Sequence, residues 1–289
     1  MTLPVGSSIE GVGLFKNQIL VGSAVTFTHA SELIGTDNNS ADLGHSGSLD
    51  IPQFNLFTGY GFSSRINLYA NLPVKRISQN PATEDNHHRS ESLTGIGDMR
   101  ISLKWVIRNQ YLGPGLRLFF SSDVVVPTGD SFNSNPFSDG ADSEDHRHFA
   151  LGNGTILADI SLEAWHRSEF PFVVGATIRQ GIYSSTSDIG YNPGLKTKIE
   201  IHAIRQQGII KNAFPYLKLT TRFDRKDEWE KINPPNSGGT FIDGMVGLNL
   251  EINEKVSGII NFDFPIWKSV TGEQLDSFRI VFSFRRFIN

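Results

Sequence analysis

The chain of 289 residues contains no cysteine. It therefore cannot form a disulfide bond or build a thiolate metal site. It also contains no uninterrupted apolar run of about 18 residues, so no transmembrane helix is expected. Hydrophobic residues make up 38% of the chain and charged residues 19%. This balance is too polar for a membrane protein built from helices.

An excess of positive charge is missing as well. The formal net charge is −4 and the isoelectric point is near 6.1. A nucleic-acid partner would require a basic face, so none is expected. The N-terminus, Met1-Thr2-Leu3-Pro4-Val5-Gly6-Ser7, lacks the basic and apolar regions of a secretory signal. If the protein crosses an inner membrane, we expect its signal to have been removed.

The sequence is instead rich in residues that suit β structure. It contains 28 glycines and 21 phenylalanines but only 3 methionines. Segments in which apolar residues alternate with polar ones recur along the chain, and this period of two indicates strands. Twelve strands are predicted, at 18–29, 51–62, 66–76, 97–108, 115–126, 155–166, 170–183, 195–205, 214–224, 241–252, 256–267 and 275–287.

The connections between these segments alternate regularly between short and long. Tight turns follow the second, fourth, sixth, eighth and tenth segments. The long connections are polar and occupy residues 30–50, 77–96, 127–154, 184–194, 225–240 and 268–274. Short turns on one side and long loops on the other are typical of transmembrane up-and-down β-barrels.

The predicted fold is therefore all-β, a transmembrane up-and-down antiparallel β-barrel of about 12 strands. Segments of this length suit tilted strands that cross a bilayer, which need roughly 9–11 residues. Residues 18–289 form the barrel as one domain, and residues 1–17 are a short periplasmic N-terminal extension. We expect a bacterial outer-membrane location, with contacts to membrane lipid and lipopolysaccharide. The alternative is a soluble β-sandwich, whose strands are usually shorter.

Each strand presents an apolar face and a charged face. Because so many charges cannot be buried in a dry core, we assign the charged face to the barrel lumen. The predicted pore-lining residues are Arg100, Lys104, Arg117, Asp123, Asp159, Glu163, Arg179, Lys198, Glu200, Lys218, Arg222, Asp243, Asp263, Arg279 and Arg285. The two signs nearly balance, so the charges either pair and fill the interior or line a narrow aqueous path.

Aromatic residues near the strand ends fit a membrane interface. Tyr111, Trp165, Tyr216 and Phe287 lie near the short turns, and Tyr183 and Trp267 lie near the loops. Amphipathic rings collect at the depth of the lipid headgroups. We therefore expect these rings to lie on the outer surface.

Several short sequence motifs add a family resemblance. They are Gly59-Tyr60-Gly61-Phe62-Ser63-Ser64-Arg65, Asn71-Leu72-Pro73, Gly95-Ile96-Gly97-Asp98, Val125-Val126-Pro127-Thr128-Gly129-Asp130, Asn236-Ser237-Gly238-Gly239 and Phe264-Pro265. With them, residues 50–287 resemble the outer-membrane barrels named after the meta pathway of phenol degradation, often described as transporters. The resemblance implies passage of small, aromatic or otherwise hydrophobic solutes. A charged lumen suits polar solutes better.

The loop 127–154 is the richest in metal-binding side chains. Asp142, Glu144, Asp145, His146 and His148 form a weak candidate metal cluster, because carboxylates bind Ca²⁺ and Asp/His sets bind Zn²⁺. The spacing matches no diagnostic motif, and a solvated acidic loop is the favoured interpretation. We expect no bound metal and no cofactor.

Three functions remain open. The first is an outer-membrane channel for the passive passage of small molecules. The second is a structural barrel that anchors or ensheathes a protein partner through its loops or lumen. The third is a barrel-embedded hydrolase, but the sequence has no Gly-x-Ser-x-Gly motif and no catalytic residue is assigned. We therefore do not expect an enzyme.

Overall fold

The chain folds into a closed antiparallel β-barrel of twelve strands. The structure is a computed structural model, and it describes residues 11–31, 47–81, 90–110, 114–131, 150–169, 171–208, 212–233, 237–271, 274 and 276–288. The strands are β1 Ile19–Ser31, β2 Gly47–Gly61, β3 Ile66–Pro81, β4 Glu91–Ile96, β5 Met99–Asn109, β6 Gly115–Val126, β7 Leu157–Arg167, β8 Phe172–Ser184, β9 Tyr191–Asn192, β10 Lys196–Arg205, β11 Ala213–Asp224, β12 Glu228–Trp229, β13 Gly239–Asn253, β14 Val256–Val270 and β15 Asp276–Ile288.

Consecutive barrel strands pair with one another around the whole circumference. β1 pairs with β2 on one side and with β15 on the other, which closes the sheet. β4 and β5 both pair with β3 and together occupy one barrel position. The predicted barrel is thus confirmed, and the predicted strands coincide with the observed ones within a few residues.

Burial along the strands is the reverse of burial in a soluble protein. On β10, Ile199 and Ile201 are 38% and 58% exposed, whereas Glu200 and His202 are 2% and 1% exposed. The same pattern places Phe282 and Phe284 outside on β15. Apolar side chains cover the outer surface because hydrocarbon surrounds it, and charged side chains face the lumen. A soluble β-sandwich is therefore excluded.

Two parts of the predicted loops are ordered strands. β4 extends the β3 ladder into the predicted loop 77–96, and the break between β4 and β5 falls at Gly97 and Asp98. The Asp98 carboxylate accepts hydrogen bonds from the backbone N–H groups of Gly129 and Asn153 at 3.1 and 2.8 Å. Gly129 and Asn153, in the two described end portions of the connection between β6 and β7, are thereby attached at this break.

The second ordered part is a small sheet on the loop side. β9 pairs with β12, and the rings of Tyr191 and Trp229 lie 4.6 Å apart. The backbone N–H of Gly194 donates to Asp227 at 2.9 Å, which joins the loops 184–194 and 225–240. Among the described residues, no helix is long and apolar enough to cross a membrane.

Candidate lumen site

The predicted pore-lining residues all lie on the strand positions that alternate with the apolar outer face. Two levels of the lumen differ in character. The loop-side vestibule contains Arg100, Arg179, Lys198, Arg222 and Arg279. The turn-side filling contains the N-terminal residues 11–14 and the inward side chains that they contact.

A compact ionic cluster lies on one wall of the vestibule. Arg100 on β5 lies 2.6 Å from Asp159 on β7 and 3.7 Å from Asp123 on β6. Arg179 on β8 contacts Asp123 and lies 3.9 Å from Asp159. Two guanidinium groups and two carboxylates therefore join four neighbouring strands, and their charges cancel locally.

A second cluster lies on the adjacent strands β10 and β11 and carries a net positive charge. The Glu200 carboxylate lies 2.9 Å from Lys198 Nζ and 3.1 Å from Lys218 Nζ. Glu200 is buried, whereas Lys198 reaches into the vestibule. One carboxylate between two ammonium groups leaves an excess positive charge at this wall.

The remaining vestibule pairs are looser. Arg222 Nε lies 3.0 Å from Asp224, and its guanidinium group lies 4.2 Å from the ring centre of Phe241. Arg279 on β15 lies 3.7 Å from Asp263 on β14. Asp243 occupies β13 between these pairs, and the structure gives it no ion-pair partner among the described residues.

The turn-side filling is organised around Glu163. Its carboxylate lies 2.7 Å from Lys104 Nζ and accepts hydrogen bonds from the backbone N–H of Gly11 at 2.7 Å and from Trp165 Nε1 at 3.3 Å. The Lys104 ammonium also lies over the ring of Phe119 at 5.1 Å. A single buried carboxylate thus connects the N-terminal segment to two strands of the wall.

The N-terminal segment is held at further points. The Asn67 side chain accepts from the N–H of Leu14 at 3.0 Å and donates to the carbonyl of Leu14 at 3.1 Å. The Tyr69 hydroxyl donates to the carbonyl of Val12 at 3.1 Å. Residues 11–14 belong to no strand, so these bonds satisfy backbone groups that a β-ladder would otherwise satisfy. The domain boundary at residue 17 stays a prediction, but residues 11–14 lie inside the barrel end.

Apolar contacts complete this attachment. Val12 and Leu14 belong to a buried cluster with Leu20, Ala24, Phe57, Tyr69, Val281 and Phe287. A Cβ atom at Gly13 would lie 3.1 Å from the Phe119 ring and 3.3 Å from Val106. Glycine therefore permits the close approach of this segment to the wall.

Arg117 and Arg285 belong to the turn side rather than to the vestibule. Arg117 Nε donates to Asn109 at 2.8 Å, and its guanidinium group lies 5.3 Å from the Phe119 ring centre. Arg285 Nε donates to Ser257 at 2.9 Å. Both side chains are buried, so they support the wall rather than face open solvent.

The exposure of the inward side chains separates the two levels. The five cations of the vestibule are 27–40% exposed even though they lie inside the barrel. Lys104, Glu163 and Arg285 on the turn side are at most 5% exposed. Solvent therefore enters the lumen from the loop side, and side chains fill the turn side.

Sequence reasoning missed an aromatic group within this filling. His202 Nδ1 lies 2.8 Å from the Tyr216 hydroxyl, and the His202 ring lies 4.6 Å from that of Trp165. All three are buried, and Trp165 and Tyr216 belong to a hydrophobic cluster with Val106, Phe119, Val173, Ile204 and Met245. The prediction that Trp165, Tyr216 and Phe287 lie on the membrane surface is wrong, because all three point into the lumen.

Tyr183 and Trp267 do lie on the outer surface near the loops, as predicted, with both rings about half exposed. Tyr111 lies outside the described residues. The candidate metal cluster Asp142, Glu144, Asp145, His146 and His148 also lies outside them. Within the described part of the chain, no group of three or more acidic or histidine side chains is arranged to bind a metal ion.

No family model and no curated protein matches the sequence. Solved structures do share the fold. An outer membrane channel from Pseudomonas putida F1 has a TM-score of 0.73 and 13% identity, covering 95% of this chain and 97% of that one. The transport unit of the autotransporter AIDA-I from Escherichia coli has a TM-score of 0.51 and 9% identity, covering 93% and 90%.

At these identities the likeness establishes the fold alone. The apolar outer surface adds independent physical evidence, because only hydrocarbon makes such a surface favourable around a charged lumen. The protein is a transmembrane β-barrel with an apolar outer surface and a charged lumen.

Proposed function

We propose that the protein is a narrow channel for the passive passage of small molecules across the outer membrane. The observation that carries this proposal is the loop-side vestibule, where five cationic side chains remain solvent-exposed inside a closed barrel. Burying these charges without water would be costly, so the vestibule is an aqueous space. The proposal requires neither a cofactor nor a catalytic residue.

The size of the barrel supports a narrow path. About eight strands make an interior that side chains can fill, and about 16–18 strands leave a wide aqueous channel. Twelve strands fall between these cases. The predicted pore-lining residues then divide by role, because those of the vestibule contact the solute and those of the turn side brace the wall.

Passage through the turn side requires the N-terminal segment to move. Residues 11–14 are attached by a small set of hydrogen bonds and by Val12 and Leu14. Such a segment can leave the wall without breaking the barrel ladder, which is closed by other strands. We propose that this segment sets the width of the channel.

A second class of solute is favoured by the apolar cluster beneath this segment. Leu20, Phe57 and Tyr69 form a surface that Val12 and Leu14 now cover. An aromatic or hydrophobic solute could occupy this surface when the segment moves. That solute class is also what the resemblance to the meta-pathway barrels implies, so membership of that family is part of this second proposal.

Liposome swelling tests the proposal. The full chain is reconstituted and challenged with a monosaccharide, a zwitterionic amino acid and a small aromatic carboxylate. Uptake of any of these, falling steeply with solute size, is expected. No flux from correctly folded protein, together with a partner that co-purifies, would overturn the channel and favour an anchoring or ensheathing barrel.

A further inference from the structure

Basic side chains ring the short-turn end of the barrel. Six exposed Lys and Arg residues lie there: Lys16, Arg65, Arg108, Arg205, Lys255 and Arg286. The first five lie in turns, at strand ends or just before β1, and Arg286 lies on the last strand. We call this set the turn-side basic ring. Its members form no ion pair with another described residue. They are therefore available to charges outside the protein.

Opposite charges are scarce at this end. Glu169 and Glu254 are the exposed carboxylates among the described turn residues. The loop end differs, because its described part exposes five cations and five carboxylates: Arg76, Lys196, Arg225, Lys226 and Lys231 against Glu91, Asp130, Asp188, Glu228 and Glu230. In sequence, residues 32–46, 82–89 and 132–149 add nine carboxylates and two arginines. Among the exposed charges of the two rims, outside the lumen, the described residues thus show an excess of positive charge only at the turn end.

The ring lies at the edge of the apolar outer surface. Lys16 follows Phe15, Arg65 precedes Ile66 and Arg108 follows Ile107 in sequence, and each of these apolar neighbours is exposed. Arg286 lies on the outward face of β15 between Phe284 and Ile288, which are also exposed. Long basic side chains next to lipid-facing residues extend to the headgroup level. The ring therefore lies at the depth of lipid phosphates.

We propose that the turn-side basic ring binds the headgroups of anionic phospholipids in the periplasmic leaflet. Short turns of bacterial barrels lie on the periplasmic side, and phospholipid forms the leaflet there. The cations follow most of the circumference, from Lys16, three residues before β1, to Arg286 on β15. A lipid shell contacts a barrel all the way round, whereas a single acidic protein would contact one side.

The chemistry of recognition is simple charge pairing with phosphate. Each basic residue near an anionic lipid surface strengthens binding by about fivefold. The attraction falls off within a Debye length, so it weakens with salt. This surface is separate from the lumen, and the inference does not depend on any solute passing through the barrel.

Electron paramagnetic resonance of spin-labelled lipids provides the test. The full chain is reconstituted in phosphatidylcholine, and the fraction of motionally restricted lipid is compared for spin-labelled phosphatidylglycerol and phosphatidylcholine. We expect phosphatidylglycerol to be preferred by about fivefold at low salt and less at high salt. Equal restriction of the two lipids at low salt would overturn the proposal.

A pair of matched variants locates the effect. The turn variant combines R65Q, R108Q, R205Q and K255Q, and the loop variant combines R76Q, R225Q, K226Q and K231Q. Both remove four positive charges, so a general effect of net charge would change them equally. We expect the turn variant to lose the preference and the loop variant to keep it. Equal losses, or a preference that survives in the turn variant, would contradict the assignment.

Discussion

The backbone N–H of Gly11 donates a hydrogen bond of 2.7 Å to the carboxylate of Glu163, 152 residues further along the chain. The same carboxylate contacts Lys104 and accepts from Trp165. The N-terminal segment is therefore tied to the most deeply buried ion pair of the lumen. One of the hydrogen bonds that hold this segment is therefore accepted by a charged, buried side chain.

Replacing Glu163 by leucine should destabilise the barrel strongly. The substitution removes the carboxylate beside Lys104, whose ammonium group is almost fully buried. Removing one member of a buried pair costs about 3–5 kcal/mol, whereas replacing both by apolar residues costs less. Urea unfolding of folded protein in vesicles should therefore show a larger loss for E163L than for the double variant K104M/E163L. A loss of stability in K104M/E163L as large as that in E163L, or larger, would contradict this account.

The vestibule should favour anions. Its five exposed cations outnumber the carboxylates that reach its solvent, since Asp123 and Glu200 are buried. The reversal potential across a bilayer in a potassium chloride gradient should indicate anion preference. The double variant K198Q/R279Q should reduce that preference, and K226Q outside the lumen should leave it unchanged. A cation-selective wild-type protein would refute the assignment of the vestibule.

A charge on the outer surface should cost more at mid-span than at the turn end. Leu219 lies near the middle of β11, and Ile252 lies one residue from the end of β13, both facing outward. Arginine costs about 2–4 kcal/mol at the bilayer midplane and about 0–1 kcal/mol near the interface. Unfolding from vesicles should show this difference between L219R and I252R. Equal costs would place the bilayer elsewhere on the barrel.

Gly175 should not tolerate a side chain. It pairs across strands with Trp165, and a Cβ atom there would lie 2.1 Å from the indole ring. G175V should displace this ring, at a cost of about 1–3 kcal/mol, because overpacking forces neighbours out of place. The neighbouring A176V, on the outward face, is the control and should be nearly neutral. Thermal unfolding and the tryptophan emission wavelength report the two effects.

The strands and their faces could be predicted because a period of two survives along nearly every segment. The same period of two also places the misassigned aromatic residues on the inward face. Trp165 lies two residues from Glu163, and Tyr216 lies two residues from Lys218, so each ring shares a face with an inward charge. Aromatic character suggested a membrane interface, but strand parity decided the side.

Other features had no local signal. The partners of residues 11–14 are Asn67, Tyr69 and Glu163, which are distant in sequence. A segment that short shows no periodicity. β4 was missed because the ladder continues past Arg76 through the polar residues Ser78, Gln79 and Asn80. The pairing of charges between neighbouring strands likewise depends on register, which sequence alone did not give.

Single-channel conductance in a planar bilayer tests the central claim most directly. The full chain is compared with a variant that lacks residues 1–14 and retains every barrel strand. A small conductance that rises several-fold after the deletion is the predicted result, because the vestibule is already open and the turn side is filled partly by residues 11–14. The same conductance for both proteins would contradict the account.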